Sequence, residues 1–550
     1  MSNLDTLPIE IIYQILTNLD QETILFQFGY VCKRFYSIIQ TYNRYKLNFQ
    51  SISKIKFHIL CQRIRLENII SLTLSNDQQT PEQIKLFLSK FQIEQFTRLQ
   101  SLTLIQIDED DFHRIFQSNL SNLQSLTFSF SQEPVLQSKI FSILSSSNIR
   151  TFHFDTTLPK IIDFPWPKQS RIQTLHLSTS LSFQQVQMIL SCSKQLKKLV
   201  LNDCYINESI ENATIDIYPQ VLSLTLHDTE LDRNGCEFIL SKLPSLEYFY
   251  IMGGDGLADG SFWEKIIKTI LLNLKTFEFA FWGDTNIPIE NSNDLESAVV
   301  SFRTSFWLEE KHWYAVCYYF RQMDNYSIYS LPISKSNINF YSNKEKILYS
   351  TRPNWTVNSL MVNKVRDMTI NLTKLMNLDN KVIDSLTYPY FRKLNKLNLS
   401  VETWTLGSTD YLSVFINLFS IVELSLTFDC RTEHIFDSID DIKYLFRQTS
   451  HLRCLTFYNY NYRIDHTRMI CSIVPDHVRS LRLPVWNTDE MRMIIEHLPF
   501  LTSVRFDNMD ETENLLEEFI SWILEKRKGS SYRIHRNQYL NIWLFDQRIK

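Results

Sequence analysis

Glycine is scarce in this chain, with nine glycines among 550 residues. Loops that cradle phosphate groups depend on closely spaced glycines, and none of the patterns GxxxxGK[ST], GxGxxG, HExxH or GxSxG occurs. The twelve histidines follow no metal-ligand spacing. The sequence therefore predicts neither a catalytic site nor a bound metal or other cofactor.

Long apolar runs and paired cysteines are also missing. No apolar run reaches the roughly 18 residues of a membrane-spanning helix, and no basic-then-apolar signal segment begins the sequence. The nine cysteines are odd in number and show no CxxC spacing, which favours reduced thiols over a disulfide framework. We therefore expect a soluble protein of the cytoplasm, the nucleus or both, without a membrane partner.

Apolar residues recur at helical spacing within the first forty residues. After Leu7-Pro8, one apolar face forms at Ile11, Ile12, Ile15, Leu16 and Leu19. Second and third short helices are predicted to follow, the third starting near Val31-Cys32. Three such helices cannot enclose much core alone, so we expect something else to cover part of their apolar surface.

This segment resembles an F-box. The family pattern of Leu-Pro-x-Glu, spaced apolar residues and Val-Cys-Lys-Arg-aromatic is matched from Leu7 to Phe35. The interval from Leu19 to Val31 is one residue longer than the commonest form, and Gln21 stands where proline is frequent. The resemblance implies docking on a Skp-type adaptor through Leu7, Pro8, Glu10, Ile11, Ile15, Leu16, Leu19, Val31, Cys32 and Phe35. An ordinary helical cap on the next domain is the alternative.

Charge is nearly balanced over the whole chain, with a net charge of −4 and an isoelectric point near 6.3. No global field favours nucleic acid, so we expect no nucleic-acid partner. The stretch Lys33–Arg65 is different because it holds lysines and arginines but no acid. A basic stretch is usually a solvated face, but the adaptor partner of the F-box family is acidic, so steering is an open alternative.

A six-residue signature, apolar-x-x-apolar-x-apolar, returns along most of the chain. Copies begin at Ile69, Leu99, Leu123, Ile149, Ile172, Leu196, Val221, Leu246 and Leu274, and again at Val365, Leu394, Ile421, Leu452, Val478 and Leu501. Capped helices are predicted between them, as after Ser182. One strand and one helix cannot bury their own apolar faces, but stacked copies can. The pattern resembles leucine-rich repeats, which implies an α/β horseshoe solenoid with parallel strands on its concave face.

The repeats are interrupted once, which sets the predicted domain organisation. We divide the chain into an F-box (1–45), a basic helical linker (46–66), a first half of leucine-rich repeats (67–280), an inserted β-meander (281–360), and a second half with a C-terminal cap (361–550). Within the insertion, alternating apolar residues predict an antiparallel hairpin of strands Phe302–Leu308 and Trp313–Tyr319, followed by a third strand at Tyr326–Ile333. A domain boundary is the competing interpretation.

The outward side chains of successive strands form one surface, because side chains alternate along a strand. Tyrosine and arginine anchor many protein interfaces. The candidate target-binding residues are Tyr248, Tyr250, Met252, Glu278, His176, His227, Tyr458, Tyr460, Arg482 and Arg505. The alternative is that a long exposed sheet carries some aromatic residues without any function.

The resemblance implies a non-catalytic role: a substrate-recognition subunit of a Skp–cullin–F-box (SCF) ubiquitin ligase. Its partners would be the Skp-type adaptor, the cullin scaffold and an unknown protein target, and catalysis would be proximity supplied by other subunits. A leucine-rich-repeat scaffold or sensor outside any ligase is an alternative. An enzyme with its site in residues 281–360 is a third interpretation.

Overall fold

The computed structural model of the protein describes residues 6–117, 120–131, 137–146, 148–155, 166–168, 170–205, 216–254, 256–284, 299–320, 325–331, 337–340, 346–351, 365–372, 391–401, 404, 407–428, 439–458, 464–507, 513–535 and 539–545. The helices within these ranges are α1 (Ile9–Thr17), α2 (Gly29–Val31, preceded by a π-helical turn Thr23–Phe28), α3 (Lys33–Thr41), α4 (Lys54–Arg63), α5 (Gln83–Leu88), α6 (Glu109–Ile115), α7 (Gln137–Ser146), α8 (Phe183–Cys192), α9 (Arg233–Ser241), α10 (Gly260–Thr269), α11 (Ser408–Phe415), α12 (Ile439–Gln448), α13 (Ile464–Ile473), α14 (Thr488–His497) and α15 (Glu513–Lys526).

The strands follow the repeats. In the first half they are β1 (Tyr45–Asn48), β2 (Ile69–Ser75), β3 (Ser101–Ile107), β4 (Ser125–Phe130), β5 (Thr151–Asp155), β6 (Thr174–Ser182), β7 (Lys198–Tyr205), β8 (Ser223–Thr229), β9 (Tyr248–Gly253) and β10 (Thr276–Asp284). Next come β11 (Tyr314–Phe320), β12 (Asn325–Leu331), β13 (Asn337–Phe340) and β14 (Lys346–Ser350). In the second half they are β15 (Asp367–Asn371), β16 (Lys396–Val401), β17 (Glu423–Phe428), β18 (Cys454–Tyr458), β19 (Ser480–Pro484), β20 (Ser503–Asp507), β21 (Ser531–His535) and β22 (Tyr539–Trp543).

These strands form two open sheets. The first runs in chain order from β1 to β10 with all neighbours parallel, and then continues through β12, β11 and β14. The second runs in the order β13, β15 to β20, β22, β21 and is parallel as far as β20. Each sheet has two edges, so neither closes on itself. A mixed α/β fold with a large parallel sheet and an N-terminal helical region is thereby confirmed.

Stacked apolar residues hold neighbouring strands in register. Leu72, Leu102, Leu126, Phe152 and Leu175 occupy paired positions on β2 to β6, and each is at most 1% exposed. A slip of one residue would turn this whole row toward the polar face of the sheet. The apolar positions of the six-residue signature therefore fix the alignment of the strands.

Several helices between the strands start at a residue whose side chain caps them. Ser182 and Gln185 form the predicted capping box at α8, in which each side chain accepts from the other residue's backbone N–H. At α9 and α14 the caps are Asp232 and Asn487, whose side chains accept from Gly235 and Glu490. Side-chain capping recurs in both halves of the chain and orients helices that follow strands.

The segment predicted as an antiparallel hairpin differs from expectation in one strand. Residues 302–308 do not form a strand: they lie in a turn followed by the π-helical turn Phe306–Glu310. Phe302 and Phe306 are four residues apart and both buried, a spacing that fits a helical turn as well as an alternating strand. β11 instead pairs antiparallel with β12 and β14, and β12 continues the first sheet from β10.

The stretch predicted as a helical linker, residues 46–66, contains α4 and also most of β1. Tyr45 and Leu47 are buried while Lys46 and Asn48 are exposed, and the strand pairs in parallel with β2. This strand was not predicted, because its four residues carry too little alternation to be recognised. β1 extends the first sheet up to the N-terminal helices.

The two ends of the chain contact each other. Trp543 of β22 is fully buried and belongs to the apolar core of the first half, where its ring lies 5.5 Å from that of Phe57 in α4. The Trp543 indole N–H donates to the carbonyl oxygen of Ile52 at 3.1 Å. Ser531 Oγ donates to the carbonyl oxygen of Pro81 at 3.0 Å. The C-terminal hairpin thus brings the second half of the chain against the beginning of the first.

Candidate functional site

The N-terminal helices pack on the rest of the chain through one apolar side. Ile12 and Leu16 of α1 and Phe35 and Ile39 of α3 are buried, and the Phe28 ring stacks on that of Phe35 with centroids 4.4 Å apart. All four buried residues belong to the core that continues into the first sheet. These helices are therefore an extension of the sheet's core.

Gln21, which replaces a frequent proline, joins the helices to the first strand. Its Oε1 accepts from the backbone N–H of Asn48 at 3.2 Å, and its Nε2 donates to the Asn48 carbonyl oxygen. Proline has no side-chain amide and could make neither bond. Beside this contact, Lys56 of α4 forms an ion pair with Glu22. The departure from the family pattern thus anchors the helices to β1 and α4.

The extra residue between Leu19 and Val31 is accommodated inside a helix. Residues Thr23–Phe28 form a π-helical turn, in which i→i+5 hydrogen bonds accommodate one more residue than an α-helical turn. Asp20 fixes the start of this segment, because its carboxylate accepts from the Thr23 N–H and Oγ1, each at 2.8 Å. The longer interval therefore leaves α3 packed against α1.

Large apolar residues remain exposed on the same helices. This exposed apolar set consists of Ile9, Ile11, Tyr30, Val31 and Tyr36, which are 39%, 40%, 70%, 65% and 59% exposed. Pro8, at the N-cap of α1, is exposed beside them. Large apolar residues left exposed on one region of a protein are candidates for contact with another protein.

The predicted adaptor-binding residues fall into three classes of exposure. Pro8, Glu10, Ile11 and Val31 are exposed, whereas Leu7, Ile15, Leu19 and Cys32 are half-buried and Leu16 and Phe35 are 1% exposed. A residue buried to that degree cannot present its side chain to a partner. Cys32 caps α3, because its Sγ accepts from the Phe35 N–H at 3.5 Å. Leu16 and Phe35 therefore support the exposed residues from inside.

On the first sheet, five predicted target-binding residues come together across β8 to β10. The Tyr248 hydroxyl donates to Glu278 Oε2 at 2.6 Å, and the Tyr250 hydroxyl lies 3.6 Å from Met252 Sδ. The ring of His227 lies 5.0 Å from that of Tyr250. Tyr250 is 5% exposed, so it supports the cluster, and burial raises the pKa of its hydroxyl and keeps it protonated.

His176 lies apart from that cluster and stacks on a second histidine. The rings of His153 and His176 occupy paired positions on β5 and β6 with centroids 3.9 Å apart. Burial is the main cause that lowers the pKa of His176 to about 4, so this side chain is neutral at physiological pH. His153 was not among the predicted residues. It occupies the same position in its repeat as His176 does in the next one, and this equivalence could have identified it.

On the second sheet, an acidic residue joins two predicted arginines. Asp507 accepts from Arg482 Nε at 2.5 Å and from Arg505 Nε at 2.6 Å. The guanidinium of Arg482 lies 4.8 Å from the centroid of the Tyr458 ring, and that of Arg505 lies 3.6 Å from the Tyr539 ring. Tyr539 was missed because no signature relates β22 to β20, and Asp507 was missed although it directly follows the last signature on β20.

Comparison with known families decides what the N-terminal helices are. Residues 4–47 match the F-box domain family. This chain carries an F-box. No curated protein matches the chain. An F-box implies in general the role of an SCF-type substrate receptor, since F-box domains bind Skp-type adaptors.

Basic residues surround the F-box. Lys33, Arg34, Arg44, Lys46, Lys56, Arg63 and Arg65 are exposed. Arg34 Nη2 donates to the carbonyl oxygen of Leu7 at 2.6 Å, which ties α3 to the residues that precede α1. Lys54 is the exception, because it is buried. The predicted basic stretch is therefore mostly exposed to solvent on the F-box and its linker, and Lys54 alone among these residues is buried.

Neither a metal-binding cluster nor a membrane-spanning helix is seen in the described part of the chain. No three His, Cys, Asp or Glu side chains there gather where they could hold a metal ion. None of the described helices is long and apolar enough to cross a membrane. Tyr460, the remaining predicted target-binding residue, lies outside the described residues.

Proposed function

We propose that this F-box protein is the substrate-recognition subunit of an SCF ubiquitin ligase of the cytoplasm or nucleus. Its F-box would dock on the Skp-type adaptor and, through it, on the cullin scaffold. The observation that carries this proposal is the exposed apolar set Ile9, Ile11, Tyr30, Val31 and Tyr36, on helices whose opposite side is already buried. A partner that covers these residues would gain about 25 cal/mol for each Å² of apolar surface removed from water.

We assign the repeating strand–helix units to the leucine-rich-repeat class, with the protein target bound on the outward face of the sheets. Two groups of side chains support this assignment: the cluster around Tyr248 and Glu278 on the first sheet, and the Arg482–Asp507–Arg505 group on the second. Both groups hold tyrosine or arginine in fixed geometry, so little side-chain entropy would be lost on binding. The target surface would then be pre-organised.

The proposed role needs no acid, base or nucleophile in this chain. A receptor that holds a target near the ubiquitin-loaded conjugating enzyme accelerates transfer by raising the effective concentration of the two reactants. F-box proteins are generally non-catalytic adaptors. The chemistry of transfer would belong to other subunits.

Co-purification with a Skp-type adaptor tests the proposal. We expect the full chain to retain the adaptor, and the Ile11→Asp/Val31→Asp variant to lose at least about tenfold in affinity, because each substitution places a charge in an apolar contact. Gln14→Asp is the matched control, since Gln14 is an exposed polar residue of the same helix α1. This control should bind like the wild type.

Absence of any adaptor association in the wild type would contradict the proposal and would favour a leucine-rich-repeat scaffold outside any ligase. Equal binding by the wild type and the Ile11→Asp/Val31→Asp variant would also contradict it. Affinity purification with the F-box deleted, so that targets are retained and not degraded, would then identify the protein target.

A further inference from the structure

A cleft opens where the F-box linker meets the second half of the chain. Its volume is about 720 Å³, and its walls are residues 51–56 on one side and the ends at which β17 to β20 begin on the other. Pockets of roughly 300–1,000 Å³ commonly hold small molecules. The charged residues that line it are Lys54, Lys56, Arg453, Arg479, Glu22 and Glu423. Cations therefore outnumber carboxylates in this cleft.

Lys54 is the most unusual of these residues. It is 3% exposed, and within the described residues no carboxylate oxygen lies within 4.0 Å of its ammonium group. Its Nζ lies over the Trp543 ring, 5.1 Å from the ring centroid. Burial lowers the pKa of Lys54 from 10.5 to about 7, with Glu82 acting in the opposite direction. A buried ammonium without a counter-ion is costly, so its position calls for an anionic partner.

The start of helix α4 adds a second positive feature to the same wall. Lys54 is the first residue of this ten-residue helix, and Ser53 caps it by accepting from the Lys56 N–H at 3.4 Å. The N-terminus of a helix carries the positive end of its dipole and favours anions. Ser53, Lys54 and Lys56 all line the cleft. The helix end and the buried ammonium thus act in the same direction.

Two arginines on the opposite wall are held by backbone oxygens. Arg453 Nη1 donates to the carbonyl oxygen of His477 at 3.1 Å, and Arg479 Nη1 donates to that of Asp476 at 2.6 Å. Neither guanidinium forms an ion pair with a carboxylate of the described residues. Their remaining N–H groups are therefore available to a ligand in the cleft.

Each carboxylate of the cleft already lies near a cation, Glu22 near Lys56 of the same cleft and Glu423 near a lysine outside it. Glu22 pairs with Lys56, and Glu423 lies 3.9 Å from Lys396, which is not a lining residue. Arg453 and Arg479 carry their positive charge without such pairing, and a bound anion would favour the protonated form of Lys54. The cationic groups available to an anion therefore come from two distant parts of the chain, Lys54 from the linker and Arg453 and Arg479 from the second half.

We propose that this cleft binds a small anion with at least two negative charges, carried by phosphate or carboxylate groups. Lys54 and the start of α4 would hold one charged group, and Arg453 and Arg479 would hold the other. The ligand would bridge the linker helix of the F-box to the second sheet. This role is separate from adaptor docking and does not depend on it.

Thermal unfolding of the full chain at constant ionic strength, titrated with pyrophosphate or with citrate, tests the proposal. We expect a saturable rise in Tm, because a ligand that binds only the folded chain stabilises it in proportion to occupancy. The anion that saturates at lower concentration identifies the charged group, phosphate or carboxylate. Lys54→Met should weaken the apparent affinity at least tenfold and should leave the Tm without anion unchanged or higher, since it removes a buried amine that has no ion-pair partner.

Lys46→Met is the matched control, because Lys46 lies on β1 in the same basic stretch but does not line the cleft. It should respond to anions like the wild type. An Arg453→Gln/Arg479→Gln variant, altered at two exposed residues, should lose the response as Lys54→Met does. The absence of a saturable shift with both anions in the wild type would overturn the proposal. A wild-type response in Lys54→Met would do the same.

Discussion

The F-box and the repeats differ in how far their apolar side chains are exposed. In the repeats, Leu424, Leu455 and Leu481 occupy paired positions on β17 to β19 and are at most 1% exposed. In the F-box, Ile11 and Val31 are 40% and 65% exposed. A repeat is covered by its neighbours on both sides, whereas the F-box helices have the body of the protein on one side only. Exposed apolar residues also occur singly in the repeats, such as Leu272 and Phe419, but the F-box holds five of them on three short helices.

Truncation of a buried strand residue gives the largest effect expected from this comparison. Leu426→Ala, at a position that is fully buried on β17, should lower the free energy of unfolding by about 2–5 kcal/mol, because it removes buried methyl groups and leaves a cavity. Ile9→Ala in the F-box should lower it by less than about 1 kcal/mol, since much of that side chain already contacts water. Urea denaturation of the two variants measures the difference.

Equal losses of stability in Leu426→Ala and Ile9→Ala would break the comparison. They would mean that Ile9 is covered by the chain itself. The exposed apolar set would then not be a surface for another protein.

A smaller effect is expected at the junction of the two regions. Gln21→Ala removes both hydrogen bonds to the backbone of Asn48 at a site that is 8% exposed. Loss of such bonds should weaken the attachment of the F-box by about 1–3 kcal/mol, which corresponds to amide exchange in α1 and α3 that is roughly 5- to 150-fold faster. Hydrogen–deuterium exchange measures this change.

Gln27→Ala is the control, because Gln27 is exposed in the same helical segment. Its exchange should match that of the wild type. Unchanged exchange in Gln21→Ala would show that Gln21 does not anchor the F-box.

The two regions also differ in how far the sequence predicted them. The signatures predicted the repeat strands from Ile69–Ser75 to Ser503–Asp507, because the alternation that buries a strand residue is encoded locally. The sequence pattern could not distinguish a strand from a helical turn at residues 302–308, because the burial of Phe302 and Phe306 fits both structures. Local patterns describe one element at a time, so they leave such short stretches undecided.

Contacts between distant parts of the chain could not be predicted. The Trp543–Ile52 hydrogen bond and the Arg533–Asp108 ion pair join residues that are hundreds of positions apart, and no periodic pattern relates them. The cleft at Lys54 was missed for the same reason, because its walls come from both ends of the chain. The basic stretch was recognised in the sequence. The burial of Lys54 within it could not be predicted, because it depends on the contact between the two ends of the chain.

The smallest expected effect is a pH dependence at Lys54. Its pKa is about 7 in the folded chain and 10.5 in the unfolded chain, so unfolding takes up a proton between these values. The free energy of unfolding should therefore rise with pH through this window, and the rise due to Lys54 should be absent in Lys54→Met. Urea denaturation of both proteins at pH 7 and pH 10 measures the difference, and identical slopes would contradict the burial of a neutral lysine.

Hydrogen–deuterium exchange of the full chain with and without a purified Skp-type adaptor tests the central claim most directly. We expect the adaptor to slow exchange in α1 around Ile9 and Ile11 and in the segment from Tyr30 to Tyr36, and to leave exchange in strands β2 to β10 unchanged. Protection confined to the sheets, or no protection anywhere, would contradict the claim that the exposed side of the F-box is a docking surface.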